Sequence, residues 1–296
     1  MRAIIAGGGI GGLTTAMALH ERGIEVQVYE SVAELRPLGV GINLLPHAMA
    51  VLDGLGLLDR ILPLGVQTAE LAFFNRHGQL IWREPRGLAA GYPVPQLSVH
   101  RGQLHMALFE LARERLGDDA VRCGAEVVSF EAGGGDVVVL DRMTGVTFED
   151  RGDVVIGADG IHSEVRRTFA PDEGLPRWSG NVLWRATTWA EPYLTGRSMS
   201  AAGHRPHKFV AYPLTGPRHD GKVLVNWIAE LDRTEFGLRD REDWNRAGDP
   251  ADLPRRASPT GASTGSTSLP SSSRPTRSSS SRWSTATPST VGRRAG

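Results

Sequence analysis

Five glycines within residues 7–12 constrain the fold of this chain more than any other feature of its sequence. The segment GGGIGG matches the pattern G-x-G-x-x-G at Gly7, Gly9 and Gly12. The apolar run RAIIAG before it is typical of a buried parallel strand, and residues 10–22 after it have apolar side chains at helical spacing. Because IEVQVYE then predicts a second strand, residues 2–30 are expected to form a βαβ unit.

The glycine pattern of this unit is suited to a dinucleotide. The first glycine permits a tight turn, the second lets the backbone approach a pyrophosphate, and the third lets the helix pack closely on the strand. Glu30 ends the second strand, where a carboxylate can accept hydrogen bonds from an adenosine ribose and repels a 2′-phosphate, which disfavours NADP at this site. The alternative is a purely structural turn with an incidental glutamate. The predicted cofactor-binding residues of this unit are Gly7, Gly9, Ile10, Gly11, Gly12 and Glu30.

The remaining patterns predict an α/β fold with two kinds of sheet. Apolar segments indicate strands at 70–75, 79–84, 120–131 and 136–141, and residues 101–116 have the spacing of an amphipathic helix. From residue 181 the period changes to two, with β-branched and aromatic residues between turns. We therefore expect a Rossmann-like domain with a parallel sheet beside an antiparallel sheet.

Composition excludes several classes of partner. Lysine plus arginine and aspartate plus glutamate both number 33, so no global charge points to nucleic acid or an anionic membrane. No window reaches the ~18 apolar residues of a membrane span, and no signal-peptide pattern opens the chain. The single cysteine, Cys123, excludes an internal disulfide and favours a cytoplasmic location. No cluster of histidine, cysteine or aspartate has metal-ligand spacing, so no metal is expected.

A second motif distinguishes between dinucleotides. Residues 152–167, GDVVIGADGIHSEVRR, resemble the Asp-Gly motif of the class A FAD-dependent aromatic hydroxylases, the p-hydroxybenzoate hydroxylase superfamily. In that family the motif lies beside the FAD and is implicated in handling the nicotinamide cofactor, so the resemblance adds Asp159 to the predicted site. The residues alone predict that Asp159 ends a strand, that Gly160 permits a tight turn and that Ser163 caps the next helix.

Two further stretches carry the same resemblance. Residues 36–57 are similar to the segment that passes the flavin, which implies a cofactor contact at Gly41. Residues 99–117 are similar to the helix whose leading arginine, here Arg101, reaches the FAD; a solvated arginine is the alternative. Segments such as EPRGLAAGYPVPQLSVHRGQL and VLWRATT resemble phenazine-carboxylate hydroxylase-like flavin monooxygenases.

The resemblance implies a domain organisation. An FAD-binding domain of the GR2 type is expected at 1–69 and 97–180, and a substrate domain at 70–96 and 181–256. Trp184, Arg185, Tyr212 and Trp227 alternate along the strands of the second domain, and either sheet packing or a pocket lining accounts for them. Arg185 suits a substrate carboxylate or an ordinary salt bridge.

The implied activity is the hydroxylation of a small aromatic substrate. NADH or NADPH binds transiently and reduces FAD, O2 then gives a flavin C4a-hydroperoxide, and its distal oxygen attacks the ring. No residue is carried over as a catalytic acid or base, and the oligomeric state is left open.

Residues 257–296 depart from this pattern. Half of them are serine or threonine, which predicts a disordered tail, and the family's third motif, a Gly-Asp-Ala-Ala-His-like strand and loop, has no match there. Back-translation of residues 257–268 in the shifted frame gives FADWRFDWLDV, a family-like amphipathic segment. We therefore expect a one-base slip near Arg256 that leaves a C-terminally truncated member. The alternatives are a catalytically inactive flavin- or nucleotide-binding remnant and a nucleic-acid-binding Ser/Arg arm.

Overall fold

The computed structural model describes residues 1–232 except 132, 134, 175, 177, 178, 205 and 206, together with residues 287–290. These residues fall into two units. Unit 1 comprises Met1–Leu38, Gly54–Leu57 and the described residues of Gly102–Pro176. Unit 2 comprises Gly39–Asp53, Leu58–Arg101 and the described residues beyond 177.

The regular elements are numbered in chain order. The strands are β1 (Arg2–Ala6), β2 (Glu25–Glu30), β3 (Gly41–Leu44), β4 (Gly65–Thr68), β5 (Glu70–Phe74), β6 (Leu80–Pro85), β7 (Gln96–His100), β8 (Val121–Cys123), β9 (Ala125–Phe130), β10 (Asp136–Asp141), β11 (Thr147–Arg151), β12 (Val154–Gly157), β13 (Asn181–Ala190), β14 (Ser198–His204), β15 (His207–Pro213), β16 (Val223–Asp232) and β17 (Thr287–Thr290). The helices are α1 (Ile10–His20), α2 (Pro46–Gly54), α3 (Leu58–Ile61), α4 (Arg101–Leu116) and α5 (Glu164–Phe169).

Unit 1 contains the predicted βαβ unit. Its parallel sheet has the order β12-β1-β2-β8, with β1 paired in parallel to both β2 and β12. The apolar residues of β1 are almost completely buried, as expected of a parallel strand covered on both faces. Because these strands are parallel, the C-terminal ends of β1, β2 and β12 lie side by side. The glycine turn follows β1 there, Glu30 ends β2, and Asp159 and Gly160 follow β12.

A second sheet of unit 1 covers the first. It is antiparallel with the order β11-β10-β9. The core between the two sheets is built from buried side chains on β1, β2, β9, β10 and α5: Ile4, Ala6, Tyr29, Ala125, Val127, Val137, Val139 and Val165. The strand predicted at 120–131 is interrupted at Gly124, whose φ of +71° breaks it into β8 and β9 in different sheets.

Unit 2 contains the predicted antiparallel sheet. Its seven strands have the order β17-β13-β16-β15-β14-β5-β6. Every neighbouring pair is antiparallel except β14 and β5, which are parallel. The combination of a parallel sheet in unit 1 and this sheet in unit 2 confirms the predicted fold class.

A smaller sheet, β3-β7-β4, completes unit 2. In this sheet β3 and β4 both pair with β7, and residues 39–53 and 58–69 fall within unit 2. The domain boundaries that the resemblance implies stay a prediction. Of the predicted tail at 257–296, only β17 falls within the described residues, and its backbone pairs with β13. Among the described helices, none has the length and apolar character needed to span a membrane.

Candidate functional site

The glycine turn of unit 1 has two positions that admit no side chain. Gly7 has a φ of +105°, and a Cβ there would lie 2.4 Å from the carbonyl oxygen of Ala158, at the end of β12. A Cβ on Gly12 would lie 2.0 Å from the carbonyl oxygen of Gly7. The segments around β1, α1 and β12 can therefore approach one another at backbone distance only because both positions are glycine, as the first and third glycines of the pattern predict.

The N-terminus of α1 is open on the side away from these contacts. Gly9 is the N-cap residue, and Cβ atoms added to Gly9 or Gly11 would meet nothing within 4 Å. The first turn, which begins with Ile10 and contains Gly12, has no acidic side chain. Its backbone N–H groups and the positive end of the helix dipole can accommodate an anionic group such as a pyrophosphate.

Glu30 is held in a fixed orientation beside this turn. The residue is 9% exposed, and its Oε2 accepts a hydrogen bond of 2.8 Å from the backbone N–H of Gly8. Its Oε1 accepts one of 2.8 Å from the backbone N–H of Val32. A carboxylate has about four acceptor positions, so this orientation leaves capacity to accept from a ribose hydroxyl.

Asp159 lies next to the glycine turn and caps α5. A Cβ on Gly7 would lie 3.0 Å from its Cα. Its Oδ1 accepts a 2.5 Å hydrogen bond from the Ser163 hydroxyl, and its Oδ2 accepts one of 2.8 Å from the backbone N–H of Glu164. Ser163 in turn accepts from the backbone N–H of Arg166, which confirms its predicted capping role. A cofactor contact by Asp159 stays a prediction.

His105 is a contact of the turn that the sequence did not indicate. The residue lies in α4, and its Nε2 is 2.7 Å from the carbonyl oxygen of Gly8. A histidine within a helical pattern is usually a surface or packing residue, and no spacing in the sequence connects position 105 with the glycines. Only the packing of α4 against the turn brings the two together.

Gly41 and Arg101 lie in unit 2. A Cβ on Gly41 would lie 2.7 Å from the ring of Tyr212 and 2.8 Å from Cβ of Asn226, and the Gly41 N–H donates to Asn226 Oδ1 at 2.7 Å. Arg101 begins α4, its N–H donates to the carbonyl of Val40 at 2.8 Å, and its side chain is exposed. The structure thus joins Gly41 and Arg101 within unit 2 and the other predicted cofactor residues within unit 1.

The seven-stranded sheet contains the four residues that alternate along the predicted strands, Trp184, Arg185, Tyr212 and Trp227. Their side chains divide between its two faces. Because Asn226 pairs with both Thr187 and Tyr212, and Arg185 is two residues from Thr187, the side chains of Arg185, Tyr212 and Asn226 share one face. We call these three residues the polar face. The opposite face contains Trp184 and Trp227 among the apolar side chains of the sheet, so for these two aromatic residues packing is the better account.

The polar face combines burial with positive charge. Burial, followed by the charge of Arg101, lowers the pKa of Arg185 below its ordinary value. Burial also raises the pKa of Tyr212 to about 12. Asn226 is fully buried, and because its Oδ1 accepts from Gly41, its Nδ2 is the amide group that lacks a hydrogen-bond partner among the described residues. An anionic or carbonyl-bearing ligand would suit these donors.

Comparison with known proteins decides which nucleotide the glycine turn serves. Residues 1–247 match the FAD-binding domain family. The chain belongs to that family. This confirms FAD as the cofactor that the two motifs predicted, and the open N-terminus of α1 together with the buried, oriented Glu30 fits its ADP half. No group of three or more metal-ligating side chains occurs within the part of the chain that the structure describes.

Relatives of known activity extend the match. The FAD-binding chain is 44% identical over 261 residues to phenazine 1,6-dicarboxylic acid hydroxylase PhzS of Lysobacter antibioticus, an alignment that covers 84% of this chain and 63% of the relative. It is 34% identical over 248 residues to 3-hydroxybenzoate 6-hydroxylase of Polaromonas naphthalenivorans, covering 81% of this chain and 58% of the relative. The chain thus spans between about half and two thirds of the length of these relatives. The predicted resemblance to class A flavin-dependent aromatic hydroxylases is confirmed.

Solved structures also resemble this chain. A tetrameric 2-methyl-3-hydroxypyridine-5-carboxylic acid oxygenase aligns with a TM-score of 0.61 and 26% identity, covering 77% of this chain and 58% of that one. HpxO of Klebsiella pneumoniae, complexed with FAD and uric acid, aligns with a TM-score of 0.65 over 82% of this chain and 58% of that one. At 24% identity the second match supports the fold alone.

Proposed function

We propose that this chain is the FAD-binding and substrate-binding portion of an NAD(P)H-dependent monooxygenase that hydroxylates an aromatic acid. The observation that carries the proposal is the glycine turn with its oriented Glu30, in a chain that is 44% identical to a phenazine dicarboxylic acid hydroxylase. FAD supplies the redox and oxygen chemistry when it is bound. The protein must bind it, position the aromatic ring and exclude water.

The residues of unit 1 have distinct roles in this proposal. The N–H groups at the start of α1 bind the pyrophosphate of FAD. Glu30 accepts from the adenosine ribose while the backbone of Gly8 and Val32 holds its carboxylate in place. Asp159 fixes the start of α5 to the end of β12, beside the glycine turn, through its hydrogen bonds with Ser163 and Glu164.

The polar face supports an acid as the substrate. Burial and then the nearby charge of Arg101 lower the pKa of Arg185, and a bound carboxylate would relieve the repulsion between the two guanidinium groups. Asn226 Nδ2 can donate to the same group. The curated relatives include enzymes named for a phenazine dicarboxylic acid and for 3-hydroxybenzoate, which are aromatic acids.

Turnover by the purified chain tests the proposal. FAD is added, and NADH and NADPH oxidation is followed with a panel of aromatic acids, each paired with its uncharged amide. We expect bound yellow FAD, oxidation stimulated by an acid more than by its amide, and one labelled oxygen atom from 18O2 in the product. The same chain with Arg185→Gln should lose about tenfold or more in preference for the acid, because a charge-assisted contact is removed.

The outcomes separate the alternatives. Tight FAD binding without stimulated NAD(P)H oxidation by any aromatic compound would support the inactive flavin-binding remnant instead. Equal stimulation of NAD(P)H oxidation by an acid and its amide, unchanged in Arg185→Gln, would still support a monooxygenase. It would contradict the role of the polar face in binding an acid.

A further inference from the structure

We propose that His105 is a positioning residue of the FAD site, which holds the peptide between Gly8 and Gly9 in the orientation needed to bind the pyrophosphate. The proposal rests on FAD binding and does not depend on the hydroxylation proposed above. It assigns a function to a side chain on α4, outside both glycine-containing motifs.

The hydrogen bonds of Gly8 are the first step of the argument. Its N–H donates to Glu30 Oε2 at 2.8 Å, and its carbonyl oxygen lies 2.7 Å from His105 Nε2. Gly8 is therefore held at both ends by side chains from two different elements, β2 and α4. A Cβ on Gly8 would also lie 3.0 Å from Cβ of Glu30, so the residue has little room to move toward β2.

The chemistry of this contact defines the protonation of the ring. A backbone carbonyl oxygen can only accept a hydrogen bond, so Nε2 of His105 must carry the proton. This holds for the neutral Nε2–H tautomer and for the imidazolium. In both forms the ring donates to Gly8, and in the second it adds a positive charge beside the turn.

Peptide planarity transfers the constraint to the amide of the next residue. In a trans peptide the C=O of one residue and the N–H of the next point in opposite directions. Because His105 draws the Gly8 carbonyl toward α4, the Gly9 N–H points away from α4. A Cβ on Gly9 would meet nothing within 4 Å, so the surroundings of this residue are open, and it is also the N-cap of α1. His105 thereby orients an amide donor at the start of the helix that is expected to bind the phosphates.

The test separates cofactor binding from folding. Dissociation constants for FAD are measured by flavin fluorescence on the whole chain and on the variants His105→Leu and His105→Gln, with unfolding temperatures measured without FAD. His20→Leu is the matched control, since His20 is an exposed histidine at the end of α1. We expect His105→Leu to weaken FAD binding by about five- to tenfold, in line with one lost hydrogen bond. His105→Gln can still donate from its amide, so it should stay within about threefold of the unmodified chain, as should the control.

Three results would overturn the proposal. The first is FAD affinity unchanged by His105→Leu, and the second is equal weakening by the glutamine and leucine variants, because a donor would then be irrelevant. The third is a chain that binds no FAD at all. If His105→Leu does not fold, the 15N chemical shifts of the ring in the unmodified chain decide the question: a protonated Nε2 is expected, and a bare Nε2 with the proton on Nδ1 contradicts the hydrogen bond.

Discussion

At the scale of single residues, glycine is required at the positions of the turn for different reasons. Gly7 and Gly12 face backbone atoms of other elements at distances that exclude a Cβ, whereas Gly9 and Gly11 face open space. The pattern G-x-G-x-x-G attributes Gly7 and Gly12 to the geometry and packing of the turn, and Gly9 to the approach of a ligand. The open surroundings of Gly9 agree with that second kind of requirement.

Replacement of Gly12 by alanine should disrupt the turn. The added Cβ would lie 2.0 Å from the carbonyl oxygen of Gly7, and since that atom belongs to the backbone, β1 and α1 must move apart. We expect a loss of about 2–3 kcal/mol in the free energy of unfolding of the FAD-free protein, as in other overpacked sites. Denaturant unfolding followed by circular dichroism measures it.

Gly11→Ala is the matched control for this change. Its Cβ meets nothing within 4 Å, and alanine favours a helix over glycine by about 0.5–1 kcal/mol. The FAD-free variant should therefore be at least as stable as the unmodified chain. Equal destabilisation by both substitutions would contradict the close-packing explanation for Gly12.

The two residues whose contacts the sequence did not predict, His105 and Asn226, share one property. His105 and Asn226 are separated by many positions from the groups they bind, Gly8 and Gly41, and neither belongs to a recognisable motif. Their contacts depend on which helix packs on which turn and on the approach of β3 to β16. Spacing along the chain contains no information of this kind.

At the scale of elements, one partly buried carboxylate ties the two sheets of unit 1 together. Asp150 on β11 accepts from the Tyr29 hydroxyl on β2 at 2.6 Å and from both terminal nitrogens of Arg2 on β1 at 2.6 and 2.9 Å. Burial alone would raise the pKa of Asp150. The hydrogen bonds from Arg2 and Tyr29 outweigh it, so the pKa lies below its ordinary value.

This shift predicts how stability depends on pH. A carboxyl whose folded pKa is depressed stabilises the fold above its unfolded pKa of about 4, and the contribution is lost as the pH falls through the folded pKa. Removing the charge with Asp150→Asn should therefore lower stability at pH 7 by about 1–2 kcal/mol, as expected for charged hydrogen bonds, and the difference should shrink at acidic pH. Thermal unfolding between pH 7 and pH 3 measures it.

The exposed Asp172 provides the comparison for this prediction, since Asp172→Asn changes a surface side chain and should leave the free energy of unfolding at pH 7 unchanged. Parallel pH profiles for Asp150→Asn and the unmodified chain would show that the carboxylate adds no stability through its charge. The sequence predicted β1 and β2 as parts of one βαβ unit, but it predicted neither β11 nor the contact of β11 with that unit, because β11 is far from both strands along the chain.

At the scale of the whole molecule, residues 257–296 carry the hypothesis of a shifted reading frame. All of them except 287–290 lie outside the described residues. The DNA from the codon of Arg256 onward tests the hypothesis: we expect the shifted frame that starts at the third base of the Ala257 codon to encode FADWRFDWLDV and to continue without a stop. A DNA sequence that does not encode these residues in that frame would contradict it.

The glycine pattern, Glu30 at the end of the second strand and the Asp-Gly motif are local in sequence. The sequence by itself therefore determined the βαβ unit and the FAD-binding family. The period-two pattern after residue 181 is local as well, and it determined that an antiparallel sheet exists. The boundaries of α4 also follow from local periodicity alone. Tertiary structure alone decided that β3 and β4 pair with β7, that Arg185 and Tyr212 share a face while the tryptophans face the other way, and that His105 meets Gly8. These features depend on contacts between distant segments, which are selected by packing and strand register and leave no periodic signal in the sequence.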